Sequence, residues 1–477
     1  MLTKYNCSLG LIITLMLFLN LAFLESSRNA KIIWSTSTTD TKISKSMSND
    51  NFEFTGTLIW KNTDSTAYIQ HVIVGDLNGD GIDDVLARDH ETHVYAIDGV
   101  SGESLWINIV PTDMVRSISV GDFNNDGSDD ALVGEWGGMV YAIEGKTEAM
   151  LWNNSDTNQK IFSLAVGDFN NDGVDDALAG SWEKKILAIN GWNGETLWNY
   201  SNPSEYILPV TVGDFNNDEI DDALAGSLDG KVYALNGSNG EILWINTDQD
   251  DATISIAVGD FNNDTIDDVV VGCLSTLKIY TIDGNTGVTL WNHTNIGSVQ
   301  SVAVGDFNNN GVDDVLAGSS DTYVYSFDGF TGNQIWNTST PEKEVISVTV
   351  GDFDGDGLDD ALAGSYDTNV YIFNGSTGEN LWKTDEPTDW VVSVAIGDFN
   401  DDGIDDILAG GYDKSIYAFS LIEPSITTDT SLSADSSVTT TLNSTTDDSD
   451  VTSLTFPIFL IALVILNFIK RNYYKNG

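Results

Sequence analysis

Cysteine and positive charge are both scarce in this chain. Among 477 residues there are two cysteines, Cys7 and Cys273. Cys7 falls in an N-terminal apolar stretch, so the mature domain keeps one thiol and a disulfide framework is excluded. Basic residues number 20 against 73 acidic, for a formal net charge of −53. That excludes an ordinary nucleic-acid surface, which needs a basic face. The four histidines, His71, His90, His93 and His293, form no cluster along the chain, and no Ser-His-Asp or phosphate-binding motif stands out. Disorder is the usual reading of so acidic a composition. It is excluded too, because 41% of residues are hydrophobic and the acids follow a strict pattern.

That pattern is a loop repeated eight times. The copy at 166–180 reads VGDFNNDGVDDALAG, and the first Asp of each copy falls at 76, 122, 168, 214, 260, 306, 352 and 398, always 46 residues apart. A fixed period of this length marks a repeat architecture. Within one period, IFSLAVGDF alternates as a strand, DALAGSW and ILAIN supply two more, and TLWNY a fourth. Four short strands with Gly/Asn/Asp turns and no helical period describe one propeller blade.

The array ends show how a ring closes. The eighth loop is followed by two strands and no fourth, while TGTLIW at 55–60 matches TGENLW at 377–382. Trp60 lies 46 residues before Trp106, in register with Trp152, Trp198 and Trp244. The expected fold is all-β: an eight-bladed propeller over 55–422, closed by the N-terminal strand. An open solenoid is the alternative.

The loop Asp-x-Asn/Asp-x-Asp-Gly-x-Asp-Asp presents hard oxygen donors in a row. Positions 1, 5, 8 and 9 make 32 places in eight copies, and 31 are Asp, Asn310 being the exception. Side chains at positions 1, 3, 5 and 9 with the carbonyl of position 7 would surround one calcium ion, and Gly at position 6 allows the sharp turn. In the first copy these are Asp76, Asn78, Asp80, Ile82 and Asp84; in the second, Asp122, Asn124, Asp126, Ser128 and Asp130. The third has Asp168, Asn170, Asp172, Val174 and Asp176; the fourth, Asp214, Asn216, Asp218, Ile220 and Asp222. The fifth has Asp260, Asn262, Asp264, Ile266 and Asp268; the sixth, Asp306, Asn308, Asn310, Val312 and Asp314. The seventh has Asp352, Asp354, Asp356, Leu358 and Asp360; the eighth, Asp398, Asn400, Asp402, Ile404 and Asp406. Glu219 and Thr265 replace the position-6 Gly, so their sites and that of Asn310 are expected to be weakest. A metal-free Asx-turn is the alternative.

These loops with their flanking strands resemble the calcium-binding repeats of the FG-GAP family, which includes the propeller of integrin alpha chains. The resemblance covers the 368 residues 55–422. It implies Ca2+ at the positions just named. The literal FG and GAP motifs are absent, and integrin propellers have seven larger blades, so adhesive partners are not carried over. YAIDGVSGESLW at 95–106 is similar to the tryptophan-docking repeat of quinoprotein (PQQ-like) propellers, which also have eight blades. Here each Trp is expected to pack between blades.

The outer segments carry export signals. An apolar run at 9–24 behind Lys4 reads as a signal peptide, 1–27, with an uncleaved anchor as the alternative. A polar leader spans 28–54, and a Ser/Thr-rich stalk 423–453. An apolar segment at 454–469 reads as a transmembrane helix, and 470–477 as a basic cytoplasmic tail. A soluble secreted protein is the alternative. Asn-x-Ser/Thr sites begin at Asn153, Asn199, Asn236, Asn263, Asn292, Asn337, Asn374 and Asn443, which suits an exported glycoprotein.

The acidic loops hardly vary, whereas the turns between strands two and three and the connections between blades do. Those variable segments share the face opposite the loops. Trp136, Trp182, Tyr366, Trp390 and Tyr412 lie there, and aromatics beside Asp suit an extracellular glycan or protein ligand. The expected function is a membrane-anchored, cell-surface calcium-binding module for adhesion or ligand binding, and not an enzyme. The alternatives are a quinone-dependent extracellular oxidoreductase and a structural surface-coat protein.

Overall fold

The computed structural model describes residues 55–422, apart from 109, 110, 276, 295, 354 and 355. The signal, leader, stalk, membrane helix and tail expected from the sequence lie outside these residues, as do Asp354 and Asn443. Among the described residues no helix is long and apolar enough to cross a membrane.

Eight four-stranded antiparallel sheets follow one another along the chain. After β1 (Thr55–Asn62), the first blade holds β2 (Ile69–Gly75), β3 (Asp84–Asp89), β4 (Val94–Ile97) and β5 (Ser104–Asn108). Successive side chains of a strand point to opposite faces. Here both faces of β3 and β4 are covered by neighbouring blades, so every residue of these two strands is buried.

The core lies between blades rather than within them. One layer joins Phe169, Leu178, Ile186 and Trp198 of the third blade to Ile207, Ala223, Tyr233 and Leu235 of the fourth. Polar ties cross other interfaces of the same kind. The Ser117 hydroxyl accepts the Leu164 amide at 3.0 Å, and Ser301 accepts that of Val348 at 3.2 Å.

Each fourth-strand Trp docks on the next blade. The Trp60 indole donates to the Gly99 carbonyl at 2.5 Å and Trp106 to that of Gly145 at 2.6 Å. The ring lies flat on a turn glycine. A Cβ at Gly240, whose φ is +71°, would meet the Trp198 ring at 2.7 Å. Trp291 is one residue late in the sequence, yet it still donates to Gly329.

The last blade takes its outer strand from the start of the propeller. β1 pairs with the strand Ile416–Ile422, from Thr55 opposite Ile422 to Asn62 opposite Ile416. Gly56 then receives the Trp382 ring, just as Gly102 receives Trp60. The ring closes as expected. Strand direction sets the two faces: Asp406–Gly411 leaves the acidic loop, and Ile416–Ile422 returns to it. Thr55 and Ile422 therefore both lie at the acidic-loop end.

Candidate functional site

The acidic loop is held by its own backbone. In the second copy, Asp122 accepts the amides of Asp126 and Gly127 at 3.0 and 2.8 Å, and Asp126 accepts that of Ser128 at 3.0 Å. The third, fourth, fifth and eighth copies repeat these bonds. The turn demands a left-handed residue at position 6: φ is +80° at Gly127, and Glu219 and Thr265 adopt +64° and +70° without being glycine.

Position 9 points inward. Asp130 accepts the Phe123 amide at 3.1 Å, the Asn124 side-chain amide at 3.0 Å and the Gly145 amide at 3.1 Å. Burial pushes its carboxyl up to about 7, against the pull of those backbone amides. Asp176, Asp222, Asp268, Asp314 and Asp406 are likewise pushed up to about 7, and Asp84 to about 6.

Position 8, given no role by the sequence reading, ties blade to blade. Asp129 accepts the Asp76 amide at 2.9 Å, and Asp175 accepts that of Asp122 at 2.8 Å. The same bond links each later pair that is described through to Asp359 with Asp306. The sequence signal was available, because position 8 is Asp in all eight copies.

In kind, the donors suit calcium: every group offered at positions 1, 3, 5, 7 and 9 is oxygen, and the position-5 side chain is exposed in each copy. In arrangement, they are those of a loop closed by its own amides. Among the described residues no three His, Cys, Asp or Glu side chains stand close enough to hold a metal ion. The position-3 amide turns its nitrogen toward Asp at position 9, whereas a cation needs its oxygen.

The opposite face gathers the aromatic side chains into two groups. Tyr366 stacks on Trp390 at 4.5 Å, Trp390 meets Tyr412 at 5.3 Å, and Tyr412 stacks on Tyr68 at 4.8 Å. The second group is Trp182 stacked on Tyr206 at 4.9 Å, with Phe162 nearly parallel to it and Trp136 tilted beside it. Trp136 and Trp390 are 37% and 38% exposed, so the five predicted rings pack on each other and still present surface. Tyr68, Phe162 and Tyr206 were not singled out by the sequence reading; Tyr68 and Tyr206 lie in the connections between blades, and Phe162 lies at the head of the strand Ile161–Gly167. The Asn153, Asn199, Asn263, Asn292 and Asn337 sites are exposed, whereas Asn374 is buried in its turn.

Residues 76–133 match the family model of FG-GAP-like repeats, and residues 221–399 match that of the outer membrane protein assembly factor BamB. No curated protein matches the sequence. Among solved structures, the chain is similar to the computationally designed Ika8 protein (TM-score 0.60, 16% identity, covering 76% of this chain and 98% of that one). It is also similar to Sqt1 of Saccharomyces cerevisiae (0.61, 14%, 78% and 100%) and to BamB of Moraxella catarrhalis (0.54, 16%, 77% and 100%). At such identities the likeness shows the fold alone. The chain is thus an eight-bladed β-propeller built of FG-GAP-like and PQQ-like, BamB-like segments.

Proposed function

We propose that this propeller is a calcium-binding module of the cell surface that holds a glycan or protein ligand on the face opposite its acidic loops. The observation that carries the reading is the contrast between its two faces. One repeats a single hydrogen-bonded acidic turn around the ring. The other differs from blade to blade and gathers aromatic rings into two stacks. A rigid scaffold with variable loops on one face is how many binding proteins are built.

Calcium would be held by positions 1, 3, 5, 7 and 9 once the position-3 amide turns its oxygen inward, and it would neutralise the crowded carboxylates. Membrane anchoring fits the exit of the chain. Thr55 and Ile422 lie on the acidic-loop face, so both ends of the propeller leave it away from the aromatic face. The BamB-like match is to a propeller described as an assembly factor, which suits a partner-binding role.

Two measurements test the proposal. Melting the full chain in chelator and in millimolar calcium should show a higher midpoint with calcium, because a ligand bound only by the folded state stabilises it. Equal midpoints would overturn the calcium half. On a glycan and protein array, the Trp136→Ala, Trp182→Ala, Tyr412→Ala triple variant should lose the signal that the parent gives. An unchanged signal would overturn the ligand half.

A further inference from the structure

The first blade breaks the repeat at two positions on its ligand-face end. Arg88 stands where each of the other seven blades has glycine, and His71 where six have serine. The glycine has a packing reason: a Cβ at Gly134 would lie 2.6 Å from Ile161 of the next blade. Arg88 occupies the same tight interface. It is only 8% exposed, and one guanidinium nitrogen donates to the Val115 carbonyl at 3.2 Å. Its Nε is buried without a hydrogen-bond partner.

The described propeller has one other arginine, Arg116 of the neighbouring blade. Arg116 and Arg88 are close enough for their charges to act on each other. The Arg116 guanidinium lies 4.5 Å from the Phe162 ring centre. Lys160 is clasped between two indoles, 3.5 Å from the centre of Trp136 and 3.7 Å from that of Trp182. Arg116, Lys160 and these three rings line a hollow of about 180 Å³. Despite 73 acidic residues in the chain, none of the three cations has a carboxylate within 4 Å among the described residues. The Trp182 Nε1 and the Gln70 Nε2 are also buried donors without a partner. A buried donor left unmatched costs stability unless something accepts from it.

From this constellation, and resting on the ligand-face reading above, we propose that the mouth of the first three blades binds a sugar ring that carries a carboxylate. The Arg116 guanidinium fork, in the wall of the hollow, matches a carboxylate in plane, and Arg88 adds positive charge behind it. The aromatic walls match the apolar face of a pyranose ring, and the spare donors match its hydroxyls. The hollow is below the roughly 300–1,000 Å³ of a drug-sized site, so it takes one ring of a longer chain. An acidic peptide would call for a longer row of cations than these adjacent blades offer.

Calorimetry on the full chain in calcium, with trigalacturonate, sialyllactose and neutral galactotriose, tests the site and tells a uronic acid from a sialic acid. Binding of either acid, with none of galactotriose, is expected. The variants are Arg88→Gly, which restores the residue of the other blades, and Arg116→Gln, which is the residue at Gln70 and Gln300. Arg116→Gln should melt like the parent and weaken binding about tenfold or more, whereas Arg88→Gly, which also removes the donor to Val115, should weaken it less. The proposal is overturned if neither acid binds, if galactotriose binds equally, if Arg116→Gln binds like the parent, or if a polyglutamate peptide binds in an Arg116-dependent way. If the acids fail while the aromatic triple variant still loses its array signal, the ligand face stands and only this assignment falls.

Discussion

The backbone amide of Asp398 donates to the Asp83 carboxylate at 2.9 Å, across 315 positions of sequence. It is the bond that every other blade makes with its successor, made here between the last blade and the first. Removing its acceptor orphans a part-buried amide. Asp83→Ala should therefore cost about 1–3 kcal/mol, read as a shift in the urea midpoint. A similar loss in Asp221→Ala would show that the seam is as tightly tied as the interior. A larger loss at Asp83 would mark the seam as the weak joint.

Deleting residues 55–62 removes β1 and leaves the Ile416–Ile422 edge unpaired. It also strips Trp60 from its layer with Phe399, Leu408 and Tyr95. An open hydrophobic edge recruits other chains. The truncated protein should sediment as aggregates or lose its cooperative melt. A monomer with the parent's melt would mean that closure contributes nothing.

Glu219 and Thr265 sit at φ of +64° and +70°, where glycine carries no steric cost. Glu219→Gly and Thr265→Gly should each stabilise the chelated protein by about 1 kcal/mol. The gain should be larger for the β-branched Thr265. Chemical denaturation in chelator checks this, and a loss of stability in both variants would contradict it.

His71 is partly buried beside Arg88. Burial first, and the nearby guanidinium second, push its pKa from 6.5 down to about 3. The folded state thus binds fewer protons than the unfolded state between these values. Its contribution to stability is present above pH 6.5 and is lost as pH falls toward about 3. In His71→Ser, the residue of six other blades, stability should fall less steeply with acid across that window. Parallel stability–pH curves for parent and variant would contradict this.

Much of the fold was legible because the period, the Trp register and the matching TGTLIW segment are facts of spacing. The division of labour within the loop was not. Asp129 and Asp130 are adjacent and identical in type, but they point to opposite sides as an extended chain requires. One reaches back to the preceding loop of the ring, and the other folds back on its own blade. Spacing within one copy cannot tell those two directions apart. The cation cluster was missed for another reason. Arg116 and Lys160 lie 44 positions apart, and the ring alone brings them to one hollow, with Arg88 of the first blade beside Arg116. The clue at hand was that Arg88 alone breaks a column of glycines.

The pairing of Thr55 with Ile422 also has a mechanical meaning. A load pulling those two residues apart acts across the strands rather than along them. It would part the hydrogen-bonded pairs one after another from that end, instead of shearing them together. The same clasp that removes a free edge against association is therefore the place where tension would open the ring first. Traction borne at only one of the two residues would leave it shut.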